Sequence, residues 1–154
     1  MKGALTQKSN SGFTLIEFII VIIIIAILAA AAIPRFINLG TNARAAAVDG
    51  MYGSVLAAAN LAHSMSMVAG DNPASVTMAG QTIAMVNGYP ADTASGIGNA
   101  ITDASGFVQG NNAEKGWDFK IQSAHTPTSC MVTYVQPTAN GNPPTVIANK
   151  KNCT

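Results

Sequence analysis

The sequence predicts an α+β protein: one long N-terminal helix, its first half apolar on every side, joined to a small C-terminal antiparallel sheet. Three observations carry this. From Phe13 to Ile33 run 21 residues in which only Thr14 and Glu17 are polar. Beyond Arg35, Val48, Tyr52, Val55, Ala59 and Ala62 recur at spacings of four, three, four and three, which is one face of a helix. After residue 110, short alternating apolar runs are separated by turns rich in Gly, Asn and Pro. The chain accordingly divides into a leader at 1–12, an apolar helix at 13–33, an amphipathic helix at 34–69, a connecting region at 70–110 and a sheet at 111–154.

The apolar helix comes first because the rest depends on it. At about 1.5 Å per residue it spans roughly 30 Å, the thickness of a bilayer's hydrocarbon core. Glu17 is the anomaly. A carboxylate at the centre of a membrane helix costs on the order of 2.5–3.5 kcal/mol, less near an end, and a simple anchor has no use for one. No Lys or Arg lies between Glu17 and Arg35, and Lys8 is nine residues upstream. A cation appears only if the chain is cut between Gly12 and Phe13. Phe13 then carries a free α-amino group, four residues before Glu17 and on the same helix face. That amine can pair with its own Glu17 or with that of a neighbouring copy. In the second case a lone copy holds an unsatisfied carboxylate and a packed copy does not.

Ser11-Gly12-Phe13-Thr14-Leu15-Ile16-Glu17, followed by an unbroken apolar run, resembles the prepilin motif of type IV pilins and pseudopilins. In that family a membrane-embedded peptidase cuts after the Gly and N-methylates the new terminal Phe. The resemblance implies that Gly12 is the cleavage residue, Phe13 the methylated terminus and Glu17 the carboxylate that registers each subunit against the next. It also implies the type IV pilin fold and a homopolymer of pilin copies. The partners it implies are the prepilin peptidase, an inner-membrane assembly machinery and the membrane itself.

The leader, with Lys2 and Lys8 and no acid, lacks the apolar core of a secretory signal and fits an N-terminus kept in the cytoplasm. Ala30-Ala31-Ala32 imitates a signal-peptidase site, but the run before it is too long. The apolar stretch is therefore expected to be retained. Pro34 removes a backbone donor and clashes with the Ala30 carbonyl, which predicts a helix kink. Family members carry a proline here. Many also carry a helix-weakening Gly earlier in the run, where this chain has Ala26. Ala-rich sequence then favours helix to about Val68, and Gly70-Asp71-Asn72-Pro73 stops it.

In the connecting region, Val76–Met78 and Gln81–Val86 flank Ala79-Gly80 as a hairpin, and Asn87-Gly88-Tyr89-Pro90 is a turn. Asp92 or Thr93 caps a short helix through about Asp103. Trp117, Phe119 and Ile121 alternate with Asp118 and Lys120 as a half-buried strand. Cys130–Val135 is a second strand, and Thr145–Ala148 a third that pairs with it. Cys130 and Cys153, with 22 residues between them, form either a disulfide worth about 3 kcal/mol or two buried thiols. Periplasmic exposure favours the bond. Three stretches further resemble the mannose-sensitive haemagglutinin (MSHA) class of pilins: Pro34 to Leu39, Gly88 to Ala91, and Cys130 to Tyr134 with a terminal Cys. That class builds surface filaments used in attachment and biofilm formation.

Other chemistries find little support. Charged residues are 10% of the chain against a typical ~25%. Net charge is +1, which gives a single subunit no nucleic-acid footprint. Gly96-Ile97-Gly98 has Ile101 where a dinucleotide motif needs its third Gly. The acids Asp92, Asp103, Glu114 and Asp118 are not clustered at calcium-ligand spacing. His63 beside the apolar stripe has no second ligand at helical spacing, and His125 sits in a solvated loop with Pro127. No metal, cofactor or catalytic set is expected, and the chain is expected to act by association. The alternative to a pilus subunit is a pseudopilin of a type II secretion system. Either places the precursor in the inner membrane as a single span. A pilin then leaves it for an extracellular pilus.

Overall fold

The computed structural model describes residues 12–70, 72–112, 116–151 and 153, with the backbone alone at 34–38 and 127. The chain divides into two compact units, residues 1–38 and 39–154. Helix α1 (Leu15–Ala69) begins in the first unit and supplies the opening element of the second. Pro34, the expected kink, falls among positions whose side chains lie outside the described residues, as do the leader residues 1–11, Asp71 and Glu114.

Among the described residues α1 has no packing partner in the first unit. Leu15–Ile33 is long and apolar enough to cross a membrane, and none of that stretch is buried within the chain. The consecutive residues Ile22, Ile23, Ile24 and Ile25 point in four directions around the axis, and all are exposed. A helix apolar on all sides has no solvent face to offer and is buried in lipid or among other helices.

The second unit has an ordinary core. Val48, Met51, Val55, Ala59, Ala62 and Ser66 form the buried stripe of α1. Tyr52, expected in this stripe, is 36% exposed, and Met51 takes its place. At about 100° per residue the two lie on opposite flanks of the stripe, so periodicity alone barely separates them. Small Ala residues let the facing chain approach closely.

Strands β1 (Ser75–Met78), β2 (Gln81–Val86) and β3 (Tyr89–Pro90) form one antiparallel sheet. The expected hairpin is there, turning on Ala79 and Gly80 at φ 49° and 79°. Asn87 and Gly88 make a second such turn, at φ 54° and 80°. Two positive φ values in succession define the tight hairpin turn whose twist matches paired strands. Tyr89 and Pro90, expected to be part of that turn, instead pair back with Val86 and Met85.

The short helix expected from Thr93 to about Asp103 is shorter: a single wide turn at Ala94–Gly98, capped by Thr93, whose hydroxyl accepts from Gly96 N at 3.1 Å. Gly96 leaves helical geometry there (φ −94°, ψ −110°). A side chain at that position would overlap the Ala91 carbonyl, so the turn requires glycine.

Strands β4 (Phe107–Asn111), β5 (Trp117–Ile121), β6 (Met131–Val135) and β7 (Thr145–Asn149) form a second antiparallel sheet in sequence order. β4 falls mostly in what reads as connecting region, because Phe107-Val108-Gln109-Gly110-Asn111 has neither alternation nor length enough to announce itself. Phe119 and Ile121 of β5, and Val132 and Tyr134 of β6, are buried in the same core as the helix stripe and as Val76, Met78, Ile83 and Met85 of the first sheet. Helix packed on antiparallel sheet is therefore the arrangement found.

Candidate functional site

The site is built at the start of α1. Gly12 and Phe13 precede the helix and are exposed, Phe13 by 86%. A Cβ added to Gly12 would meet nothing within 4 Å. Among the described residues no contact demands glycine at this position. The peptide bond between Gly12 and Phe13 thus joins two exposed residues.

Thr14 is the N-cap of α1. Its hydroxyl accepts from Glu17 N at 3.3 Å, while Glu17 Oε2 accepts from Thr14 N and from the Thr14 hydroxyl, each at 2.8 Å. Cap and third helical residue thus satisfy each other's orphan backbone donors, the reciprocal arrangement of a capping box. This corrects the expectation that a lone copy leaves Glu17 unsatisfied: before any cleavage, Oε2 already has two donors. Sequence reasoning passed over Thr14, although Thr-x-x-Glu before an apolar run is the sequence form of this motif. A carboxylate offers about four lone-pair sites, so a further donor can join without displacing Thr14.

Elsewhere the predicted sites stay separate. Cys130 and Cys153 are bonded, with Cα atoms 5.0 Å apart, and both are wholly buried. The chain end is also held by Arg44 of α1, whose Nη1 donates to the Cys153 carbonyl at 3.1 Å. Lys150 Nζ donates to both oxygens of Asp49 on α1, at 2.9 and 3.0 Å. The bridge ties Cys153 to the residue before β6, and the two contacts tie Lys150 and Cys153 to the helix that opens the domain.

Asp118, expected on the outer half of its strand, is 1% exposed. Thr133 Oγ1 donates to Oδ1 at 2.6 Å, Asn112 Nδ2 donates to the same atom at 3.3 Å, and Lys120 Nζ lies 3.3 Å from Oδ2. These partners offset the cost of burying a charge, and the group cross-links β5 to β6. The Tyr134 hydroxyl donates to the Pro90 carbonyl at 2.7 Å, joining the two sheets. Burial, then the charge of Asp92, pushes its pKa well above the usual phenol range, so it stays a donor. Among the described residues no group of three His, Cys, Asp or Glu is placed to hold a metal ion.

Comparison with known proteins bears on the same segment. The prokaryotic N-terminal methylation motif matches residues 7–33. The type IV narrow pilus major component PilA5 of Thermus thermophilus is 53% identical over 47 residues, 30% of this chain and 40% of that protein. The chain thus matches well under two thirds of its curated relative's length. No solved structure matches it. The chain carries the N-terminal methylation motif and is similar to a type IV pilin over its N-terminal region.

Proposed function

We propose that the chain is the structural subunit of a type IV pilus, of the MSHA class, which polymerises into a surface filament for attachment. The observation that carries this is Glu17: one acid at the head of a helix apolar on every side, just past an accessible Gly12–Phe13 bond. Before assembly the span lies in the inner membrane with the domain outside. Prepilin peptidase cuts after Gly12 and methylates Phe13. Assembly machinery extracts the copies, and in the fibre apolar helices pack on one another, keeping the burial that lipid provided.

The cut creates the cation that the segment lacks. Phe13 of one copy reaches Glu17 of the next and adds a charge-assisted bond to a carboxylate that Thr14 already orients. An incoming copy that fails to bring its amine to Glu17 leaves that charge without its ionic partner, and this sets the register. The same logic would serve a pseudopilin. The disulfide that clamps the C-terminus favours a pilin, and fibres visible outside cells separate the two.

The test is the mass of the processed N-terminal peptide. N-methyl-Phe13 as first residue is expected. A mature chain that begins elsewhere, or an intact leader, overturns the proposal.

A further inference from the structure

A cleft of about 510 Å³ lies between the end of α1 and the Asn87-Gly88 turn, lined by His63, Ser66, Met67, Gly70, Asn72, Gly88 and Asn140. Its chemistry is set by how His63 is held. Nδ1 lies 2.7 Å from the Gly88 carbonyl oxygen. A carbonyl only accepts, so Nδ1 carries the proton and Nε2 of the neutral ring keeps its lone pair. The imidazole also stacks on Tyr89, with centroids 4.0 Å apart and planes 3° from parallel. Ser66 Oγ donates to the same carbonyl at 3.2 Å and steadies the acceptor. A ring whose Nδ1–H is tied to a backbone carbonyl is held in one tautomer and one orientation, the arrangement in which histidines ligate metals.

Met67 stands one helical turn after His63, on the same face, and lines the same cleft. It is 66% exposed, so its thioether is not spent on the core, whereas Met65 packs against the core. Among the described residues no second imidazole and no carboxylate lines the cleft with His63. A thioether at this spacing is a partner for a soft ion only. The described lining holds no carboxylate and no Lys or Arg. Imidazole with thioether suits copper(I). Zinc in structural sites takes four ligands, and calcium takes six or more oxygens.

We propose that His63 Nε2 and Met67 Sδ form a two-ligand site for a soft monovalent cation, copper(I) or silver(I), in this cleft. The two cysteines, whose thiolates would compete most strongly for such an ion, are consumed in the disulfide. All of its residues lie in the second unit, apart from the N-terminal segment.

The test uses the full chain in detergent micelles and silver(I) nitrate in chloride-free buffer. Calorimetry reads affinity, and methyl-labelled methionine spectra read position. One equivalent is expected to bind, with the Met67 methyl and the His63 ring shifting together. Met67→Leu is expected to weaken binding by about tenfold or more. His63→Phe keeps the stack on Tyr89 and is expected to do the same, while Met65→Leu leaves affinity unchanged and zinc(II) does not bind comparably. No silver binding, or wild-type affinity in Met67→Leu, overturns the proposal. Because Met67 is exposed, that variant folds whether or not His63→Phe does.

Discussion

The two units of this protein treat the same residue types in opposite ways. In residues 15–33, Ile, Leu and Val are exposed side after side, and none of the stretch is buried within the chain. In residues 39–154, Val48, Val55, Ile83, Ile97 and Val132 are completely buried against one another. The second unit satisfies its hydrophobic groups internally. The first leaves them for another molecule, lipid or protein. Charge follows the same division. Asp118 in the domain gathers Thr133, Asn112 and Lys120 from its own chain. Glu17 finds hydrogen-bond donors on Thr14 but no cation in its own helix before Arg35. An incomplete unit is the expected form of a component, and a complete one is the expected form of a domain.

The strongest way to break this comparison is at Glu17. Glu17→Ala is expected to leave cleavage after Gly12 largely intact, seen as an unchanged mature mass apart from the substitution, while fibres seen by electron microscopy fall to a small fraction. Normal fibre number in that variant would remove the assembly role and leave Glu17 as a helix cap only. A change in the domain should behave in the opposite way. Phe119→Ala is expected to cost about 3–5 kcal/mol of stability, read as a lowered unfolding midpoint of the full chain. An unchanged midpoint would mean the sheet face does not share the helix core.

A smaller effect sharpens the account of the chain end. Replacing Cys130 and Cys153 together by Ser is expected to cost about 3 kcal/mol, with the level of the protein falling accordingly. Thiol labelling of exported wild-type protein should find neither cysteine free. The smallest expected effect has the opposite sign. Ala79 sits at φ 49°, where an L side chain is disfavoured. Ala79→Gly should therefore stabilise the domain by about 0.5–1 kcal/mol in denaturant unfolding. A loss of stability would show that the β1–β2 turn is not held as described.

Legibility in the sequence follows from how local each signal is. The apolar run, the hairpin at Ala79-Gly80 and the strands around Phe119 and Val132 depend on period and turn chemistry, which neighbours in sequence carry. Tyr52 and Met51 were not separable, because they flank the stripe almost equally and the choice belongs to the facing residues. Tyr89 and Pro90 look like turn residues, and only pairing with β2 makes them a strand. Asp118 alternates like an outward residue, yet Thr133 and Asn112 close over it from elsewhere in the chain. Thr14 was legible as a helix cap and was overshadowed by the acid it caps.

What the sequence by itself determined is the stretch that no tertiary partner finishes: 21 residues with one acid near their head and a glycine in front of them. Their meaning lies in order along the chain, since length and hydropathy act without any fold. Only the tertiary structure decided which face of α1 is covered, that Cys130 meets Cys153, and that the imidazole of His63 is pinned between Tyr89 and the Gly88 carbonyl. Those depend on groups tens of residues apart being brought within a few ångströms, which only the packed chain can do.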